Sequence, residues 1–197
     1  MAVIVLTGMP ASGKSTICKA LTECFGWPVV EKDAIKEQLF DTIGFECYAQ
    51  KRRLDHAANA VVIHMTERML SAGQSVIVDN NFDELSGKAF AELIKRYQSV
   101  CMTVFLKGEP QVLYDRYVKR DNAHARHLGH ILQEHYPPHE GDCLDYAMTR
   151  EEFDEKFFKR GMDHFTCPGG RIEVDTTDFS KVDIQEIIGR IQKFLEG

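Results

Sequence analysis

The stretch Ala2-Val3-Ile4-Val5-Leu6-Thr7-Gly8-Met9-Pro10-Ala11-Ser12-Gly13-Lys14-Ser15-Thr16 decides the fold. Its first five residues form a short apolar run, the pattern of a strand buried on both faces of a parallel sheet. Gly8–Ser15 then fits G-x-x-x-x-G-K-[ST] at every specified position. Gly8 and Gly13 supply backbone angles that a Cβ would oppose. The turn around Ala11, Ser12 and Gly13 can therefore aim successive N–H groups into one concavity, a nest for phosphate oxygens. A helix starting near Gly13 adds its N-terminal dipole. Lys14 offers a cation to the β- and γ-phosphates, Ser15 a hydroxyl to Mg²⁺, and Thr16 a further phosphate contact. The expected ligand is a nucleoside triphosphate, ATP with Mg²⁺.

Working outward, Ile17, Ala20, Leu21 and Cys24 lie at helical spacing, and Gly26 and Pro28 stop that helix near Phe25. Val29-Val30 is a second short strand, with Asp33 positioned to cap a helix over Ala34–Phe40. The pattern continues with a helix over Lys51–Leu70, a strand Ser75–Asp79, a helix Asp83–Tyr97, a strand Val100–Leu106 and a helix Glu109–Arg120. Thr149-Arg150-Glu151-Glu152 has the form of a capping box opening a helix Arg150–Phe165. A fifth strand, Arg171–Asp175, precedes a last helix opened by Ser180-Lys181-Val182-Asp183. Alternating strands and helices predict right-handed crossovers and a parallel sheet. The expected fold class is α/β: a three-layer α/β/α P-loop NTPase with a five-stranded parallel sheet, like the nucleoside monophosphate kinases. A single domain is expected over 1–197, with a polar, His- and Pro-rich lid insert at about 121–148.

Bulk properties narrow the function. The chain has 197 residues, 44% hydrophobic and 27% charged, with a formal net charge of −6. That balance disfavours nucleic acid as the main partner, because phosphate backbones call for clustered Lys and Arg. No stretch approaches the length of about 20 apolar residues that a membrane span needs. The N-terminal apolar run has no basic flank, so no signal peptide is expected. The six cysteines form no C-x-x-C pair. They read as reduced thiols, most of them buried, which suits a cytoplasmic protein.

A phosphate loop alone does not separate a kinase from an ATPase, a GTPase or a motor. Asp33 follows Lys14 by 19 positions, just past the second strand. At the C-terminal sheet edge, beside the first strand, its carboxylate would face the γ-phosphate and could accept the proton of an attacking hydroxyl. Asp79, ending the third strand, could hold Mg²⁺ or bind substrate, and the amides of Asn80 and Asn81 could hold a substrate hydroxyl or phosphate. Arg116, Lys119 and Arg120 share one helix face, and Arg126 follows in the insert. An arginine brought over the nucleotide would offset developing phosphoryl charge, with Arg116, Arg120 and Arg126 the candidates.

These segments resemble the small P-loop kinases of the predicted-kinase and polynucleotide-kinase-like group. That group is related more distantly to zeta toxins, chloramphenicol phosphotransferase, and gluconate and shikimate kinases. Leu6–Thr16, Glu31–Lys36, Val76–Phe82, Arg116–Arg120 and Arg126-His127-Leu128-Gly129-His130 carry the likeness. It covers residues 1–130 and the final strand and helix. It implies Asp33 as general base, with Arg120 and Arg126 on the nucleotide. Position 36 is Lys where the group often has Arg, and Lys lacks the bidentate fork. Residues 131–165 match no named relative.

The expected activity is transfer of the ATP γ-phosphate to a hydroxyl of a small molecule. The acceptor would enter between helices near Asp33, Lys36, Arg52, Arg53 and Asn80. A polynucleotide 5′-hydroxyl kinase is the alternative, resting on the basic cluster Lys51-Arg52-Arg53. A nucleotide-binding ATPase or switch without acceptor is an alternative of another class, although the chain lacks the N-K-x-D motif of guanine-specific GTPases. Five of the eight histidines fall between His124 and His139. They could bind a metal, contact ligands from the lid, or simply be exposed polar residues. Trp27, Phe153, Phe157 and Phe158 read as packing aromatics.

Overall fold

The computed structural model describes residues 1–123, 126–142, 144, 148–158, 165 and 167–196. Strand β1 (Ala2–Gly8) leads into α1 (Lys14–Phe25). Then come β2 (Val29–Glu31), α2 (Lys32–Ile43), α3 (Tyr48–Ser71), β3 (Val76–Asp79), α4 (Glu84–Arg96) and β4 (Val100–Lys107). The remainder is α5 (Pro110–Asn122), α6 (Leu128–Ile131), α7 (Arg150–Phe153), β5 (Gly170–Asp175) and α8 (Ile184–Glu196). The five strands pair in parallel in the order β2-β3-β1-β4-β5.

Period-two alternation along β1 divides the core between the two sheet faces. Ile4 and Leu6 join Ile17 and Leu21 of α1 and Ile187, Ile188 and Ile191 of α8. Val3 and Val5 join Val62 and Leu70 of α3 and Phe90 and Ile94 of α4. The result is the expected three-layer α/β/α P-loop fold. Every residue of β1 is buried, so its apolar run has no solvent face to encode.

Local details revise five expectations. Helix α2 begins one residue before Asp33: Glu31 is its N-cap, and Asp33 sits in the first turn, where an acid also suits the dipole. β3 lies between β2 and β1, so Asp33 does not follow a strand adjacent to the phosphate-loop strand. Helix α8 is opened by Asp183, whose carboxylate accepts the Glu186 N–H, while Ser180 belongs to a 3₁₀ turn over Phe179–Lys181. The Thr149–Glu152 capping box forms, but α7 is α-helical only to Phe153 and widens to a π turn over Asp154–Phe158. The remainder of the helix expected up to Phe165 lies mostly outside the described residues. Of the five described cysteines, Cys18 and Cys101 are buried, Cys24 and Cys47 exposed and Cys167 intermediate, so the thiols are less buried than their apolar neighbours suggested.

The insert is docked. Tyr136 and Phe45 exchange backbone hydrogen bonds of 2.7 and 2.9 Å. Phe40, Phe45 and Leu54 form an apolar cluster with Leu132 and Tyr136 packed on it. Fully burying such a side chain is worth about 1.5–3 kcal/mol, so this cluster outweighs the polar contacts around it. Gly129 is a point of close approach between the two parts: a Cβ there would lie 2.3 Å from the Phe40 ring. Gly129→Ala should therefore lower stability by about 1–3 kcal/mol, the usual cost of overpacking. A thermal melt would read it, and an unchanged Tm would mean the insert is not held at this contact.

Candidate active site

The phosphate loop is built by two close approaches and a third residue at positive φ. Gly8 has φ 142° and lies so near β4 that a Cβ would meet the Leu106 carbonyl oxygen at 2.2 Å. Gly13 has φ 86°, and a Cβ there would meet the Phe179 ring at 2.3 Å. Ala11 also takes positive φ, 58°. Asn81, expected as a substrate amide, instead braces the loop: its Oδ1 accepts the Thr7 hydroxyl at 3.0 Å and the Gly8 N–H at 2.9 Å. Lys14 Nζ donates to the Gly8 carbonyl at 3.3 Å. Burial lowers the Lys14 ammonium below its usual range, against the opposing pull of Asp79 and Asp33.

The loop opens into one cleft of about 1560 Å³, lined by Ser12–Thr16, Asp33, Lys36, Arg52, Asp79, Asn80, Arg116, Arg120 and Arg126. A pocket for one small ligand is about 300–1,000 Å³, so this volume accommodates a nucleotide and a second substrate together. The anticipated residues thus gather from distant parts of the chain, whereas Arg53 is not among the described residues lining the cleft.

Asp33 projects into this space with 61% of its side chain exposed, and Arg126 Nη2 reaches its Oδ2 at 3.3 Å. Burial pushes the Asp33 carboxyl up, but His130, Arg126, Lys36 and Lys14 overcome it and hold the group below the usual carboxylate range. Asp79 behaves oppositely. Burial raises it to about 6, with Lys14 opposing and Asp33 and Glu31 adding to the rise. Asn80 is buried and donates to Asn59 Oδ1 at 3.0 Å. Asn59, one polar residue within the long helix α3, carried no signal of this role in the sequence.

The arginines separate by position. Arg116 donates to the carbonyl oxygens of Thr176 and Thr177 at 2.7 and 2.9 Å, tying α5 to the end of β5. Arg120 pairs through Nε with Asp121 at 2.9 Å and lies over the Tyr117 ring. Its buried Nη2 has no partner among the described residues, and neither does Ser12 Oγ. Orphaned buried donors call for a ligand or ordered water. Both flank the phosphate loop, so the chemistry of the site fits a nucleotide triphosphate.

On the acceptor side, Lys36 and Lys32 are held by Asp55 at 2.8 and 3.1 Å. Lys51 is buried and donates to the carbonyl oxygens of His130 and Leu132. Burial brings its ammonium down to about 6. The Lys51-Arg52-Arg53 cluster is therefore divided: Lys51 braces the insert, Arg52 lines the cleft, and Arg53 is not among the described residues lining it. Three residues of the insert meet three acids spaced four apart on α2. Arg126 meets Asp33, His130 Nε2 meets Glu37 at 3.1 Å, and His127 Nε2 meets Asp41 at 3.0 Å. His124, expected to share a face with His127 and His130, lies outside the described residues. Phe153 is buried in an apolar cluster with Phe157 and Phe158 against it, and Trp27 packs beside Phe25.

A family profile described as AAA domain matches residues 3–138. The chain belongs to the AAA domain family. Two curated relatives match this AAA domain over part of their length. It is 25% identical over 185 residues to a replication factor C large subunit of Methanococcus maripaludis, covering 91% of this chain and 34% of that protein. It is 26% identical over 127 residues to a cytidylate kinase of Pyrobaculum calidifontis, covering 61% of each. The AAA domain chain thus spans a third to three-fifths of the length of these relatives. A Chloroflexus aurantiacus protein provisionally described as a kinase superposes with a TM-score of 0.77 at 25% identity, over 99% of this chain and 96% of that one. Among the described residues of this AAA domain, no helix is long and apolar enough to cross a membrane.

Proposed function

We propose that the chain is a single P-loop kinase domain over 1–197. It moves the γ-phosphate of ATP to a hydroxyl of a small molecule bound between α2 and α3. The supporting observation is that Asp33 shares one cleft with Lys14 while Arg126 of the insert touches its carboxylate. Gly8, Ala11, Ser12, Gly13, Lys14, Ser15 and Thr16 would cradle the triphosphate, with Arg120 Nη2 and Ser12 Oγ finding their missing partners there. Mg²⁺, when bound, would neutralise phosphate charge, and Ser15 and Asp79 are the residues to hold it.

The catalytic work of this chain is mainly positioning and electrostatics, as phosphoryl transfer requires. Asp33, kept anionic by its cationic neighbours, accepts a hydrogen bond from the acceptor hydroxyl and fixes its oxygen toward the phosphate. Arg126 closes over the pair and excludes water. Lys36, Arg52 and Asn80 line the acceptor side.

A phosphate acceptor is the second reading, favoured by the likeness to cytidylate kinases. The two differ in chemistry: a phosphate acceptor has no proton that Asp33 must remove. An ATP-consumption screen against sugars, nucleosides, aminoglycosides, oligonucleotides and nucleoside monophosphates separates them. Turnover with a hydroxyl compound supports the proposal. Turnover confined to monophosphates replaces it, and slow hydrolysis with no acceptor at all returns the chain to the ATPase or switch reading. Activity on oligonucleotides with a steep salt dependence would mark the polynucleotide kinase.

A further inference from the structure

We propose that the loop 135–142 of the insert is a divalent-metal site, suited to Zn²⁺, distinct from the Mg²⁺ position at the phosphate loop. Its ligands are His135, His139 and Asp142, whose donor atoms all lie within 4.8 Å of one another.

The chain folds back here to bring the three together. Gly141 takes φ 93°, and the Asp142 N–H donates to the His139 carbonyl at 3.2 Å, closing a tight turn. Asp142 Oδ2 then receives the His139 N–H at 2.6 Å and faces His135 Nε2 at 2.6 Å. Both bonds use one oxygen, leaving Oδ1 without a hydrogen bond among the described residues. The two imidazole rings lie side by side, 4.0 Å between centroids and 14° from parallel.

Two imidazoles and one carboxylate form a donor set that suits Zn²⁺ and leaves a position for water. The surroundings favour a cation: residues 133–142 include Glu134, Glu140 and Asp142 and no Lys or Arg. Access is open, since His135 and Asp142 keep 22% and 25% of their side chains exposed. The position also gives the ion a consequence. Tyr136, next to His135, carries the backbone pairing to Phe45 and donates its hydroxyl to Asp41 at 2.7 Å. Cross-linking 135 to 142 would stiffen the segment that docks the insert on α2.

The test is a Zn²⁺ titration of the metal-free full-length chain, without nucleotide, by calorimetry, with Co²⁺ as a spectroscopic probe. One saturable equivalent is expected, with a visible Co²⁺ band. His135→Ala, His139→Ala and Asp142→Asn should each weaken it by about tenfold or more, as loss of metal-shell residues does. Ser15→Ala should leave it intact. Circular dichroism would confirm that each variant is folded. The proposal is overturned if no saturable equivalent binds, if the three substitutions leave it unchanged, or if Ser15→Ala removes it. None of these results bears on the kinase reading.

Discussion

Asp33→Asn is expected to lower kcat with a hydroxyl acceptor by about 10²–10⁴-fold, the usual range for removing a general base. ATP affinity should stay nearly unchanged, because the triphosphate is held by the loop and not by this carboxylate. The amide is nearly isosteric and still hydrogen-bonds the acceptor, but it cannot take the proton. The pair Arg126–Asp33 is lost too, yet that contact lies toward solvent and contributes little to stability in water. Single-turnover kinetics and nucleotide binding on the same preparation would check both halves. Full activity in the variant would sink the assignment of Asp33, and a large loss of ATP affinity would relocate the residue to the nucleotide side.

Lys14→Met should be the more damaging change for the nucleotide. Removing a preorganised cation from a developing phosphoryl charge costs about 10²–10³ in rate, and ATP binding should weaken with it. The stability of the free protein should behave differently. The Lys14 ammonium is held below its usual range by burial, so the fold gives up solvation to keep it there. A methionine of similar length removes that cost, and buried charges replaced by apolar groups are often neutral or stabilising. The melting temperature without nucleotide should therefore hold or rise while stabilisation by added ATP disappears. A clear drop in Tm would mean that Lys14 is chiefly a structural partner of Asp79.

The two variants probe opposite halves of one cleft. If the acceptor is a phosphate, Lys14→Met still abolishes turnover, whereas Asp33→Asn costs little because no hydroxyl proton must leave. The contrast between them reports the acceptor class without knowledge of its identity.

Much of this was legible along the chain because the determining interactions are short-range. The phosphate loop is one contiguous segment whose glycines, lysine and serine have local reasons to be there. The three-layer sheet follows from a fully apolar β1 and from helical spacing on either side of it. Asp33, Asp79 and Arg126 could be nominated because strand ends and the insert are visible as breaks in pattern.

Other features depended on packing between segments far apart in sequence. Order β2-β3-β1 puts a strand between Asp33 and the phosphate loop, and strand order is set by crossover packing that no local pattern records. Arg116 and Arg120 stand on one helix face and look equivalent in sequence. Only the end of β5 engages Arg116 with the carbonyls of Thr176 and Thr177 and leaves Arg120 Nη2 buried without a partner. Lys51, Arg52 and Arg53 read as one basic cluster until α3 turns the first of them inward, under the insert. The sequence by itself pointed to a phosphate-binding loop and to the residues that form it. The tertiary structure decided which charges remain available to act on it, because burial and partner geometry, not residue type, set whether a cation is spent on the fold or free for a ligand.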